Sequence, residues 1–450
     1  MIRQAFFRWT MRCWLTALVI AMAPHIAAAE TQGIDSEQAR RYFEEARKIC
    51  ESDAGKLWGK SLCGPMLFGD PDTRWVAANQ PDAESRLKAQ NGVFVGKLPD
   101  EVNIANTATS WAGVHWTMVE WPLPESPTVR ARLMMHELFH RIQDDLGLPA
   151  LSPPNAHLGT LEGRIWLRLE WRALQQALAR PDSPPAERRR AVEDALLFRL
   201  RRQALFPKAE EEERELELNE GLAEYTGYKV RGTSDAGTVE AVIGRLSSAE
   251  SEPAFSRSFA YVSGPAYGLL LDLSGKTWRK NLTSKSSLGN LLQQSYGVAL
   301  PSDLAAAAEK RASVYDGVAV RWLETQQEEK RKAQLEDYKK RLITGPVLTL
   351  PVMEQFNFSF DPNGVIPIDD TSSAYTTLRV TDVWGVLEVS GGALIVRGQR
   401  GFVRVVVEAP KYNSGSAGEI KGNGWKLTLT SGWSLAKGDR PGDLTVAKKE

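Results

Sequence analysis

The sequence predicts an α+β fold: a mainly helical domain with a small N-terminal sheet, followed by a small all-β module. Three observations predict it. Helix-period apolar stripes dominate from about residue 126 to residue 342. Two strand-like pieces, residues 92–95 and 111–120, precede them and are rich in Val, Trp and Thr. After Gly345-Pro346 the texture changes to short β-branched and aromatic runs, punctuated by Gly391-Gly392 and Asn423-Gly424. A chain of 450 residues exceeds what one core usually spans, so two domains are expected.

The elements follow in order. Arg3, Arg8 and Arg12 form a basic start, residues 13–23 are apolar, and Ala27-Ala28-Ala29 offers a small-residue cleavage site. Residues 1–29 are therefore expected to be a signal peptide, and the mature chain to be exported, periplasmic or secreted. The apolar stretch is short for a membrane span, and no second one is long enough, so no stable span is expected after cleavage. Losing three arginines and no acid turns 56 basic against 56 acidic residues into 53 against 56, a net charge of −3. That balance offers nothing to nucleic acid. Cys13 leaves with the signal. Cys50 and Cys63 remain, an even number in an exported chain, and a disulfide is expected, two buried thiols being the alternative. The mature chain opens with a helix-like stretch, residues 36–50.

Ser126-Pro127 reads as an N-cap and a first-turn proline. Residues 128–145 hold no Gly or Pro, and Val129, Leu133, Met134, Leu138 and Ile142 make an apolar stripe. Gly147-Leu148-Pro149 stops the helix. Inside it lies His136-Glu137-Leu138-Phe139-His140. Positions i and i+4 share a helical face, so both imidazoles can reach one zinc ion, with Glu137 placed to take a proton from water. Two of the chain's five histidines fall in this motif. A catalytic zinc takes a third protein ligand. Gln143 and Leu146 stand where the metzincin pattern needs Gly and His, which excludes that class. His157, Glu162, Glu170, Glu220 and Glu224 are the candidates.

The motif followed by Asn219-Glu220-Gly221-Leu222-Ala223-Glu224-Tyr225 resembles the gluzincin group of zinc metallopeptidases, which includes thermolysin-like enzymes and membrane-type aminopeptidases. The resemblance implies a zincin-like catalytic domain over residues 30–314, one catalytic zinc held by His136, His140 and Glu220, and Glu224 orienting a ligand histidine. It also implies that the strand before the motif helix borders the cleft. Gly221 is expected to let its helix approach the His136 helix. Tyr261-Val262-Ser263-Gly264, before an apolar helix at 266–273, is similar to the stretch that carries an oxyanion-stabilising tyrosine in the aminopeptidases, with Ser263 in place of lysine. Tyr261 is the implied catalytic tyrosine, and His157 and Tyr267 compete for the role. His115 faces either the cleft or a cross-strand neighbour. The resemblance covers two short motifs. Between His140 and Glu220 lie 79 residues, with inserted helices expected at 158–180 and 186–205. The Gly-x-Met-Glu-Asn motif of the aminopeptidases is absent, which favours an endopeptidase.

Residues 315–345 include a Glu-, Lys- and Arg-dense stretch at 322–341, expected to be a solvated helical spacer. Residues 346–450 are expected to form a β-sandwich or barrel, with Trp384, Trp425 and Trp433 either in its core or binding a glycan or partner. The function expected is hydrolysis of peptide or protein substrates by Glu137, with Tyr261 in support. The alternatives are an exported binding protein with an inactive zincin-like domain, and a metallohydrolase acting on another bond.

Overall fold

The computed structural model describes residues 33–99, 102–179, 185–361, 364–369, 371–398, 401–410 and 418–449. The expected signal peptide, residues 1–29, lies outside them. The described chain is mixed: a region of sheet and helices, then an all-β region. No helix among the described residues is long and apolar enough to cross a membrane.

Helix α1 (Ser36–Asp53) is capped by Asp35, whose carboxylate accepts from the Glu37 and Gln38 N–H groups at 3.0 Å each. Its buried face, Ala39, Phe43, Ala46 and Cys50, follows helical spacing. Cys50 is joined to Cys63, Cα–Cα 5.3 Å, which pins the end of α1 to the chain entering the sheet.

Six strands follow: β1 (Met66–Gly69), β2 (Trp75–Ala78), β3 (Lys88–Gln90), β4 (Val93–Lys97), β5 (Thr107–Trp111) and β6 (Val114–Glu120). Their order is β3-β4-β2-β1-β6-β5. Only the β1–β6 pair is parallel. The single strand expected at 111–120 is split, because Ala112 and Gly113 both adopt positive φ and turn the chain into a two-residue hairpin. This moves β6 inside the sheet and puts β5 on its edge. The strand next to the motif helix in sequence is therefore not the exposed one. One sheet face, with Phe68, Ala77 and Val119, joins the main core, and the other, with Leu67, Trp116 and Met118, forms a smaller one.

Helix α2 (Pro127–Gln143) begins and ends where the sequence signals place it, with Ser126 in extended backbone and Gly147 left-handed after a short 3-10 turn. Helices α3 (Leu161–Leu178) and α4 (Pro185–Leu205) pack along each other. Next come α5 (Ala209–Leu216), a π-helical turn (Glu217–Gly221) and α6 (Leu222–Val230). Helices α7 (Asp235–Ala249), α8 (Ser258–Leu273), α9 (Leu288–Tyr296), α10 (Leu304–Ala312) and α11 (Gly317–Lys339) complete the region. Tyr261 lies inside α8, not ahead of it, and Pro265 is within the helix.

A buried ionic network ties these helices together. Arg202 binds Glu213 through Nε (2.6 Å) and Nη2 (2.9 Å), and Glu170 through Nη1 (2.6 Å). Arg199 grips both oxygens of Glu217 at 2.7 Å. Tyr267 donates to Glu170 (2.9 Å), and His157 Nε2 lies 2.8 Å from Glu213. Burial would raise the Glu213 carboxyl's pKa, but the Arg202 charge and the His157 and Arg202 hydrogen bonds hold it well below the carboxylate range. Burial, together with the charges of Glu213 and Glu170, keeps Glu217 raised despite Arg199. Three carboxylates face two guanidiniums here.

Helix α11 is solvated over much of its surface, as its composition implies, but it is not a free spacer. Glu324 and Glu328 are buried against α3, where Arg164 Nε and Arg168 Nε each lie 2.5 Å from a Glu324 oxygen. At its far end Tyr338 and Leu342 pack on Val347, Ala374, Leu394 and Val406 of the β module. Among the described residues that module is a two-sheet arrangement of seven and five strands. Trp384 and Trp425 are buried in it, and Trp433 is half-buried against its core.

Replacing Arg202 with Met would leave Glu170 and Glu213 buried without their shared cation. Urea unfolding should show a loss of about 3–5 kcal/mol, and a loss below about 1 kcal/mol would mean that water already reaches the network. Serine at both Cys50 and Cys63 should cost about 3 kcal/mol for a loop of this length, read in the same titration.

Candidate metal centre

Helix α2 projects His136 and His140 from one face, and the π-helical turn brings Glu220 to them. The turn is wide, and such turns recur at functional sites. Three ligand atoms form a triangle. His136 Nε2 to His140 Nε2 is 3.2 Å, His136 Nε2 to Glu220 Oε2 is 3.4 Å, and His140 Nε2 to Glu220 Oε2 is 3.5 Å. Zinc bonded at about 2.0–2.1 Å in a tetrahedron separates its ligands by about 3.3 Å. The triangle thus has the size of one tetrahedral face. Among the described residues this is the one group of three with metal-ligand spacing.

The other imidazole nitrogens have oxygen partners. Nδ1 of His136 donates to Glu224 Oε2 at 2.9 Å, and Nδ1 of His140 to Gln143 Oε1 at 2.8 Å. A carboxylate or amide oxygen can only accept, so Nδ1 carries a proton in both rings and Nε2 is the nitrogen left to face a metal. Glu224 is itself held by Arg132 Nη1 (2.9 Å), and Gln143 Nε2 donates to Asn219 Oδ1 (3.2 Å). Asn219 in turn donates to the Leu151 carbonyl and Ser152 Oγ.

The remaining third-ligand candidates go elsewhere. His157 and Glu170 belong to the buried network, as does Tyr267. Glu162 accepts from Trp166 near the α3 surface. Glu224 reaches His136 only through Nδ1. Tyr261 stacks on the His136 ring at 5.5 Å and 6°, where the Glu220 charge acts on its phenol. His115 lines the cleft while bonding Ser110 on β5. Sequence reasoning missed Gln143, Arg132 and Arg257. Gln143 had a signal, since it stands three residues after His140 on the same helical face. The two arginines had none.

Gly221 does not serve the approach to α2. It faces α8, where any Cβ on Gly264 would run into the Gly221 backbone. The glycine meeting α2 is Gly227, whose Cβ would lie 2.6 Å from the Arg132 carbonyl oxygen. The two contacts place α6 between the histidine helix and the tyrosine helix.

The charges are consistent with a cation. Burial alone would push the His136 pKa down, but hydrogen bonds to Glu220 and Glu224 and the charge of Glu137 hold it at about 10. Glu220, despite its burial, is held far below the carboxylate range by both histidines. Burial raises Glu137, whose Oε1 lies 4.0 Å from His136 Nε2. Without a metal, the carboxylates therefore recruit a proton to His136. The residues fit a zinc ion in donor chemistry, spacing and charge. The surrounding cleft of about 990 Å³ runs between the β5 edge, at Thr107 and Ala108, and the start of α8.

Zinc must displace the His136 proton. Its apparent affinity should rise up to tenfold per pH unit from about pH 7 towards about 10, and loading at pH 8 should release about one proton. Calorimetry in buffers of different ionisation enthalpy would read this, and loading without proton release would refute the ligand assignment. Glu224→Ala should weaken zinc binding about 10–100-fold, Glu220→Ala by more, and Glu162→Ala not at all, measured by chelator competition.

No family model, curated protein or solved structure matches this chain, so the site is read from its own geometry.

Proposed function

We propose that this protein is an exported zinc-dependent peptidase with a zincin-like domain, acting within chains rather than at a free amino terminus. The observation that carries the reading is the ligand triangle of His136, His140 and Glu220 with the Glu137 carboxylate beside it. A structural zinc site is usually closed by a fourth protein ligand, whereas Glu137 stands 4.0 Å from the nearest ligand nitrogen and leaves a position open. The disulfide suits an exported chain.

A zinc ion bound there supplies Lewis acidity, which brings the pKa of a water towards neutrality and polarises a carbonyl. Glu137, made more basic by burial, accepts the attacking water's proton and returns it to the leaving amine. The Tyr261 phenol is held far above its ordinary pKa by burial and the Glu220 charge, so it stays protonated and can donate to the oxygen that gains charge. Glu224 and Gln143 hold the histidines in the ligating tautomer. Strand β5 ends its sheet beside the cleft, and its backbone edge, unpaired among the described residues, can align an extended peptide across Glu137.

Glu137→Gln should keep zinc and lose at least about 10²-fold in kcat on any peptide that the wild type cleaves. Tyr261→Phe should lose about 10²–10³-fold with its zinc content unchanged. Zinc content by mass spectrometry, beside cleavage of an unbiased peptide library, tests both. Full cleavage by Glu137→Gln would sink the mechanism.

A further inference from the structure

We propose that the cleft selects substrates carrying a carboxylate close to the scissile bond, and that Arg257 binds it; this rests on the peptidase reading above. Three arginines line the cleft, Arg132, Arg245 and Arg257. Two are neutralised within the protein. Arg132 is paired with Glu224, and Arg245 with Glu252, and their side chains are 27% and 24% exposed.

Arg257 differs on both counts. Its side chain is 49% exposed, and its only ion pair among the described residues is Nη2 to Glu220 Oε1 at 3.1 Å. Glu220 gives its other oxygen, Oε2, to the ligand triangle. One carboxylate cannot neutralise both a divalent cation and a guanidinium. With a metal in place, Arg257 is left as the uncompensated positive charge of the cleft wall. The other acids of the lining, Glu137 and Asp144, are not paired with it. A guanidinium has five donors in a planar fork that suits a carboxylate, and only one is spent on Glu220.

Position sets which carboxylate it meets. Arg257, the N-cap residue of α8, and Tyr261 in its first turn stand four residues apart, on the same side of the helix start. Tyr261 is stacked on His136. A carboxylate held by Arg257 therefore lies within about one residue of the bond presented to Glu137. Two sources share this chemistry: an Asp or Glu side chain flanking the bond, and the free carboxyl terminus of a peptide.

The test uses the zinc-loaded protein and peptides that differ only by Asp against Asn, or Glu against Gln, at each position flanking the bond. Each peptide is made with a free and with an amidated C-terminus. The wild type should favour the carboxylate at least about tenfold in kcat/KM at one position. The ratio should fall to within about twofold in Arg257→Gln and stay partly raised in Arg257→Lys. A ratio is insensitive to metal loss, because both peptides meet the same loaded fraction. The same pairs are then titrated by fluorescence anisotropy into zinc-loaded Glu137→Gln, where Kd should show the same preference.

Equal cleavage of charged and neutral peptides by the wild type would overturn the inference and leave the peptidase reading standing. So would a preference that survives in Arg257→Gln. No cleavage of any peptide, with carboxylate-dependent binding that needs Arg257, would do the reverse. Dependence on the free C-terminus would support the inference and move the action to chain ends. Dependence on Asp or Glu would support it and keep the action internal.

Discussion

The buried pairing of Arg199 and Arg202 with Glu170, Glu213 and Glu217 constrains everything around the candidate centre. Charges this deep are tolerated only when each meets its partner at hydrogen-bond distance, because an unpaired one costs several kcal/mol. The partners come from α3, α4, α5 and the π-helical turn, so those elements can pack in only one mutual arrangement. Glu217 lies three residues before Glu220 on that turn. Tyr267, bound to Glu170, lies six residues after Tyr261 on α8. The network thus holds both the proposed third ligand and the proposed oxyanion donor without touching either.

Packing then sets the distance. Gly264 on α8 meets Gly221 backbone to backbone, and Gly227 meets the α2 backbone at Arg132. A side chain at any of these positions would push one helix outward by a methyl group or more. The ligand triangle has edges of 3.2–3.5 Å, and a shift of that size would break it. Trp171, donating to Ser263 Oγ at 2.9 Å, locks α8 to α3 from behind. Ser263 is therefore an internal fastener.

Charge is handled in two different ways within one helical region. In the network each carboxylate has a guanidinium at hydrogen-bond distance. In the cleft Glu220 and Glu224 each meet an arginine, but Glu137 has none among the described residues, and His136 takes up a proton in compensation. The first arrangement suits a fixed scaffold. The second suits a site completed from outside, because the surplus negative charge lowers the cost of bringing in a cation.

The sequence by itself determined the features that depend on local spacing. The motif helix and its ends, the inserted helices α3 and α4, the change to an all-β region and the disulfide were legible, because caps, apolar periods and cysteine parity act over a few residues. The i, i+4 spacing put two histidines on one face, and Glu220 and Glu224 entered through resemblance to a known pattern. Most of the small sheet was not legible. Its strands are three to seven residues long, and the hairpin at Ala112-Gly113 lies inside one apolar run. Only the tertiary structure decided which of the candidate carboxylates and histidines meet, that β5 and not β6 forms the edge, that Gly221 serves α8, and that Glu324 draws α11 onto α3. Each of these is a contact across many residues, where the partner is chosen by shared burial and charge compensation and local pattern carries no record of it.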